Sequence, residues 1–262
     1  MSKKRKIIIF GIIAVLAVGL ILFSTVFRVR HQNVSFTAEI DGVTAEDIID
    51  AGEIKGGKSV FLINKQEVKN KIEKAVPYAK VENVFVTFPS SLNFEISKRE
   101  EFCYFESGEQ FMVCDSSLKI LRTSMERPEL IKIEAEIDEN LAAGDFIDIS
   151  DIKIMFDCFA ETISIELDGE NSPEFTLNRE KAINTIESVV YDKNSRIFTV
   201  KAAEGFSVEY SANNVLDKHY YLMGILVNEN SSILTAENRA SGKTFVLENT
   251  SNGMRKYAKN EI

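Results

Sequence analysis

The sequence predicts an α+β protein: one N-terminal transmembrane helix, a small β-α-α-β-β module, then a larger α+β domain with an antiparallel sheet. Three observations carry that prediction. Ile7–Phe27 holds no charged residue, and Ser24 and Thr25 are its only polar members. Residues 34–100 alternate strand-type and capped helical patterns in the order β-α-α-β-β. Residues 101–249 contain short alternating strands separated by turn residues, with three helical stretches between them.

The apolar run is read first. At ~1.5 Å per residue a helix of its length spans ~31 Å, matching a bilayer's hydrocarbon core. Lys3, Lys4, Arg5 and Lys6 precede it, whereas Arg28 and Arg30 follow it. That asymmetry predicts a cytoplasmic tail at 1–6, a span at 7–27 and a juxtamembrane linker at 28–33, with everything beyond outside the membrane. The competing reading is a cleaved secretory signal. The run exceeds the ~7–15 apolar residues of such signals and lacks a small-x-small cleavage site at its end, so an anchor that stays on is expected.

Composition narrows the function classes. The net charge of −9 is uneven: +6 over residues 1–33, −2 over 34–100 and −13 over 101–262. An acidic external domain is repelled by nucleic acid, which excludes nucleic-acid binding. The three cysteines, Cys103, Cys114 and Cys158, are too few and odd in number for a disulfide framework. Cys103 and Cys114 flank a hairpin around Gly108, and either a bridge or two small buried thiols fits that placement.

In the first module, Val34–Ile40 reads as a strand with Val34, Phe36, Ala38 and Ile40 on one face. Thr44 and Asp47 make a capping box for a short helix ended by Gly52. Val60–Ile63 leads to a second helix, capped by Asn64 with Glu67 and striped by Val68, Ile72 and Val76. Pro77 stops it. Val81–Phe88 and Leu92–Lys98 then form a hairpin in which Leu92, Phe94 and Ile96 face a core. A three-stranded sheet with both helices on one face buries all of these stripes.

These residues carry a resemblance. The segments GGKSVFLIN (56–64) and VENVFVTFPSSLNFEISKRE (81–100), behind a single anchor, resemble the FtsQ/DivIB family of bitopic bacterial cell-division proteins. The resemblance implies that residues 34–100 are a POTRA domain and 101–249 a β domain. Arg99 matches the family's Glu-Arg-x-Pro, while Lys98 and Glu101 stand where Glu and Pro are usual. Leu118 occupies a position where the family carries glycine, so the turn at 115–118 must use Asp and Ser chemistry. Lys218 sits where the family tends to carry a lysine.

In the second half, strands are expected at Phe102–Phe105, Phe111–Cys114, Ile120-Leu121, Leu130–Ile133, Ile163–Leu167, Ile186–Tyr191, Arg196–Ala202, Phe206–Tyr210 and Lys243–Leu247. Helical spacing marks Ile147–Phe159, with Ile152, Met155, Phe156 and Phe159 inward. A short helix is expected at Glu180–Ile186, and one capped by Asn214 runs to about Val227. The tail at 250–262 is polar, and fraying is expected from Glu248 onward.

Catalytic patterns are weak. Ser116-Ser117-Leu118-Lys119, Ser211-Ala212-Asn213 and Lys243-Thr244 follow the motif order of penicillin-binding proteins. Yet Ser116–Lys119 lies in a polar turn rather than on a buried helix, and Phe245 replaces the glycine of the third motif. Two histidines, His31 and His219, give a triad or zinc site little to build on. No enzyme activity, cofactor or metal is expected.

The resemblance instead implies a scaffold of the division machinery. Its implied partners are FtsL-like and FtsB/DivIC-like coiled-coil proteins, and its implied place is the division septum. A membrane-anchored envelope-assembly factor with another partner is the alternative. Lys243, Thr244, Phe245, Val246 and Leu247 are the candidate partner-binding residues. They read as the last strand of the second sheet, with Phe245 and Leu247 inward and Thr244 and Val246 outward. A last strand leaves one row of backbone groups free for a partner's strand, the alternative being that the tail folds over that edge.

Overall fold

The computed structural model describes the backbone of residues 3–259 except 55, 139, 163–165, 168–169, 172–175, 214, 228–241 and 251–252. Within helices and strands, the side chains at 3–9, 20, 22–24, 166–167, 170–171, 215–217, 227, 249–250 and 253–257 are outside the description. The chain divides into two units, Met1–Arg99 and Glu100–Ile262.

The first unit begins with α1 (Lys3–Val26). Its described apolar side chains Phe10, Ile12, Ile13, Val15, Leu16, Val18 and Ile21 are 55–74% exposed. Among the described residues no helix is long and apolar enough to cross a membrane. The span expected at 7–27 falls partly on side chains outside the description.

Beyond α1 come β1 (His31–Phe36), α2 (Ala45–Ala51), a 3-10 turn (Val60–Leu62), α3 (Lys65–Ala75), β2 (Ala79–Thr87) and β3 (Ser91–Lys98). The sheet order is β1-β3-β2, with β1 parallel and β2 antiparallel to β3. The caps act as their residue types require. Thr44 accepts from the Asp47 amide while the Asp47 carboxylate accepts from Thr44, and Asn64 caps the Glu67 amide. The same hydroxyl and amide of Thr44 hold the Asp47 carboxyl below the usual carboxylate range. Ile48 from α2, Val68 and Ile72 from α3, and Val81, Leu92, Phe94 and Ile96 from the sheet close one core.

Two local expectations are corrected. The first strand starts at His31 and ends at Phe36, so Ala38 and Ile40 lie beyond it, although Ile40 is still buried. Residues 28–33 enter the fold rather than acting as a linker. Val29 donates to the Lys58 carbonyl at 2.9 Å, Arg30 donates to the Ser90 carbonyl at 2.9 Å, and Arg28 bridges Ser59.

The second unit comprises β4 (Cys103–Ser107), β5 (Gln110–Cys114), β6 (Ile120–Ser124), β7 (Ile131–Glu134), α4 (Ser150–Phe159), β8 (Glu166–Leu167), β9 (Glu170–Asn171) and α5 (Arg179–Thr185). It continues with β10 (Ile186–Asp192), β11 (Ile197–Ala202), β12 (Ser207–Ser211), α6 (Val215–Val227), β13 (Thr244–Thr250) and β14 (Gly253–Ala258). Among the described residues nine strands join in the order β14-β13-β12-β11-β10-β7-β4-β5-β6, and β8 and β9 pair with each other.

The expected antiparallel sheet is mixed instead. The pairs β4/β7, β7/β10 and β12/β13 are parallel. Parallel neighbours need a crossover, and α6 lies in the connection from β12 to β13. Ile152, Met155, Phe156 and Phe159 of α4 are buried as the spacing predicts, though the helix begins only at Ser150. The expected alternation at Ile163 and Ile165 and the Asn214 cap fall outside the described residues. Cys103 and Cys114 are directly opposite across β4 and β5, and all three cysteines are free and buried.

Candidate partner interface

The candidate strand is where the pattern put it, but it is not the last one. In parallel register with β12, Thr244 pairs Ser207, Phe245 pairs Val208, Val246 pairs Glu209 and Leu247 pairs Tyr210. Phe245 and Leu247 are 3% and 2% exposed, whereas Thr244 and Val246 are half-buried and Lys243 is exposed. The Phe245 ring meets Phe206 edge-on at 6.4 Å between centroids. The expected alternation of faces is therefore present.

The expectation of a free backbone edge at Lys243–Leu247 is corrected. The tail that was expected to fray forms β14, which pairs antiparallel with β13 from Phe245↔Ala258 to Thr250↔Gly253. Antiparallel pairs alternate between bonded and non-bonded positions. Lys259 donates to the Thr244 carbonyl at 2.8 Å, which fixes that alternation: Thr244, Val246, Glu248 and Thr250 bond toward β14. On β14, residues 253, 255 and 257 then bond inward. The backbone groups of Met254, Lys256 and Ala258 point to the outer side of β14, the terminal strand of the sheet among the described residues. No apolar alternation marks β14 in the sequence: Gly253–Ala258 is short and mixes Arg255 and Lys256 with Met254 and Tyr257.

Lys218 anchors this end of the unit. Its ammonium donates to the carbonyls of Ser211 at 3.1 Å and Asn213 at 2.8 Å, tying α6 to the end of β12. Burial lowers its pKa. Next to it, His219 is fully buried, and the Tyr210 hydroxyl lies 3.0 Å from its Nδ1. Burial pushes the His219 pKa down to about 3, so it is neutral in the fold. Across the sheet, Arg196 donates to both Asp151 carboxylate oxygens at 2.9 Å, and Tyr191 also donates to Asp151.

The penicillin-binding-protein motif does not assemble. The Lys119 ammonium donates to the Gly144 carbonyl at 2.9 Å and sits 4.4 Å over the Phe146 ring, while Ser116 is exposed. Ser211 follows the Tyr210↔Leu247 pair, whereas Lys243 precedes the Ser207↔Thr244 pair, so the two lie at opposite ends of the parallel strands. Among the described residues no group of three His, Cys, Asp or Glu is disposed to hold a metal ion.

A second set of residues, singled out by resemblance, proves structural. Arg99 donates to the Glu73 carboxylate at 3.0 Å, with both side chains nearly buried, and Glu73 also accepts the Val81 amide at 2.9 Å. Glu101, in place of proline, takes both donors of Arg122 at 2.6 and 3.0 Å. Leu118 has φ +63°, the left-handed region that glycine occupies freely. Asp115 holds that turn: its carboxylate accepts from the amides of Ser117 and Lys119 and the hydroxyl of Ser117 at 2.7–2.9 Å.

The fold of the first unit, two helices against a three-stranded sheet in β-α-α-β-β order, defines its class. Residues 30–99 match the family model for the FtsQ-type POTRA domain. The chain is 26% identical over 120 residues to the cell division protein DivIB of Clostridium acetobutylicum, a match covering 45% of this chain and 47% of that relative. It thus spans about half the relative's length. A solved structure, the major extracytoplasmic domain of the trans isomer of the cell division protein DivIB from Geobacillus stearothermophilus, aligns with a TM-score of 0.31 and 12% identity, covering 52% of this chain and 99% of that one. Residues 30–99 thus form an FtsQ-type POTRA domain, and the chain is similar to the cell division protein DivIB over part of its length.

Proposed function

We propose that this chain is a bitopic scaffold of the division machinery, anchored by α1 with its N-terminus in the cytoplasm. Its outer units bind FtsL-like and FtsB/DivIC-like proteins and help control septal wall synthesis without catalysing it. The observation that carries the reading is the FtsQ-type POTRA domain at 30–99, placed directly behind an apolar helix. The four basic residues before that helix, against two after it, support the orientation.

Partner docking is assigned to the outer side of β14, braced by Lys243–Leu247. A partner's extended segment adds there as the next strand, using the outward backbone groups of Met254, Lys256 and Ala258. Thr244 and Val246 lie on the half-open face beside it and read the partner's side chains. Lys256→Pro removes an outward N–H that the β13/β14 hairpin does not use. It is expected to weaken binding of an FtsB/DivIC-like partner at least ~10-fold, one lost ladder bond with its neighbours displaced. Arg255→Pro, which breaks the hairpin itself, serves as the disruptive control. Unchanged affinity for Lys256→Pro refutes the edge site. A fluorescent fusion of the full chain is expected at midcell in dividing cells, and a diffuse envelope signal refutes the division reading.

A further inference from the structure

Three segments remote in sequence bring phenylalanines together where the chain leaves α1. Phe27 lies 5.3 Å from Phe61 and 6.1 Å from Phe88, and Phe61 lies 5.6 Å from Phe88, all between ring centroids. The backbone holds them there. Val60 donates to the Phe27 carbonyl at 3.0 Å, Gly57 donates to Val29 at 3.0 Å, and Arg30 donates to Ser90 at 2.9 Å. The 3-10 turn buries Val60 in the core and in doing so turns the next two residues outward. As a result Phe61, Leu62 and Phe88 are 50%, 72% and 61% exposed. Packing within the first unit does not need such large apolar side chains in water.

The charge around this patch is opposite to that of the whole protein. Residues 27–31, 54–63 and 84–94 contain Arg28, Arg30, Lys55 and Lys58 and no Asp or Glu, in a chain of net charge −9. Arg28, Arg30 and Lys58 are exposed. Arg30 also donates to the Thr25 carbonyl at 3.2 Å, so a cation sits at the carbonyl end of α1. An apolar tip fringed by cations is the chemistry that enters the boundary between acyl chains and anionic headgroups.

We propose that Phe61, Leu62 and Phe88, with Phe27 beneath them, form a foot by which the POTRA domain rests in an anionic lipid surface. The inference builds on the reading of α1 as a membrane anchor. The patch follows α1 by a single residue, Phe27, so the bilayer that holds the helix is the surface within reach. The foot fixes the height of the domain above the membrane, which a flexible linker does not.

The chain has no tryptophan, so a single introduced one reports its own surroundings. The full chain is reconstituted into phosphatidylcholine vesicles carrying acyl-chain bromines, with and without phosphatidylglycerol. Phe61→Trp, Leu62→Trp and Phe88→Trp are compared with Phe10→Trp in α1 and with Met125→Trp, an exposed site in the second unit. In anionic vesicles the three foot variants are expected to lose about half their emission and shift to the blue, as an apolar face buried ~5–10 Å into the boundary would. Met125→Trp is expected to change little. If Phe10→Trp is quenched while the foot variants are quenched no more than Met125→Trp, the foot is wrong and the anchor stands. If Phe10→Trp is not quenched either, the anchor reading fails and takes the foot with it. Arg28→Glu with Lys58→Glu is expected to reduce quenching of Phe88→Trp in anionic vesicles to its level in neutral ones. Equal quenching of the unmodified foot in both lipids overturns the preference for an anionic surface.

Discussion

At the scale of single residues, the positions that stand out are buried polar groups with specific partners. Arg99 and Glu73 are one such pair, linking the end of β3 to α3. Removing one member of a buried ion pair leaves the other charge unmatched, which costs ~3–5 kcal/mol. Arg99→Met leaves Glu73 with Lys69 at 3.7 Å, so it is expected to destabilise the first unit by the lower part of that range in urea unfolding, and Arg99→Met with Glu73→Leu to recover most of it. A double variant no more stable than the single one would show that the pair does more than neutralise itself. His219 sets a pH dependence. Its folded pKa of about 3 lies below the ordinary 6.5, so between those values the unfolded chain holds a proton that the fold excludes. Stability is therefore lost as pH falls through that window. At pH 5 this one group is expected to cost about 2 kcal/mol relative to pH 7. His219→Phe is expected to flatten the loss, measured as unfolding free energy at the two pH values. Asp115 replaces what glycine supplies elsewhere. With Leu118 at φ +63° and buried, Asp115→Ala removes three hydrogen bonds from the turn and is expected to cost ~2–3 kcal/mol in the second unit.

Among the elements, β3 is central to the first unit because it alone touches both neighbours. Phe94 on β3 pairs with Val34 of β1 and Val84 of β2 and is fully buried. Truncating such a side chain costs ~3–5 kcal/mol, a large share of the ~5–15 kcal/mol that holds a domain together. Phe94→Ala is expected to unfold the first unit, read as loss of protection in amide exchange over residues 31–98. In the second unit, the parallel placement of β13 beside β12 follows from α6. A helix between two strands is the sequence pattern of a crossover, and a crossover gives parallel neighbours. That signal was present at Asn214–Val227 but was outweighed by the hairpins before it, which read as a wholly antiparallel sheet.

For the whole molecule, the two cores share no residue: one gathers side chains from Val29 to Ile96, the other from Phe102 to Leu247. Separate cores predict separate unfolding. Phe94→Ala is thus expected to leave amide protection in β10, β11 and β12 unchanged, and equal loss in both units would show a single cooperative block. The thiols offer an independent probe of the second core. Burial pushes Cys103 well above the usual thiol range and Cys158 up to about 11. Alkylation of all three cysteines is expected to wait on unfolding, checked by mass spectrometry before and after denaturant.

The sequence by itself determined what neighbouring residues can settle among themselves. Thr44, Asp47 and Asn64 announced two helix starts, and Gly108 and Pro89 announced two hairpins. The alternation of Leu92, Phe94 and Ile96 gave the buried face of β3, and that of Phe245 and Leu247 gave the face of β13. Each of these is a choice among backbone conformations within a few residues, and side-chain chemistry decides it locally. Only the tertiary structure decided which strands lie side by side, that β14 covers β13 and becomes the sheet's end, and that Phe27, Phe61 and Phe88 meet. Those arrangements join segments tens of residues apart, where many pairings satisfy the same local pattern. The choice among them falls to which one buries the most apolar surface while satisfying the backbone.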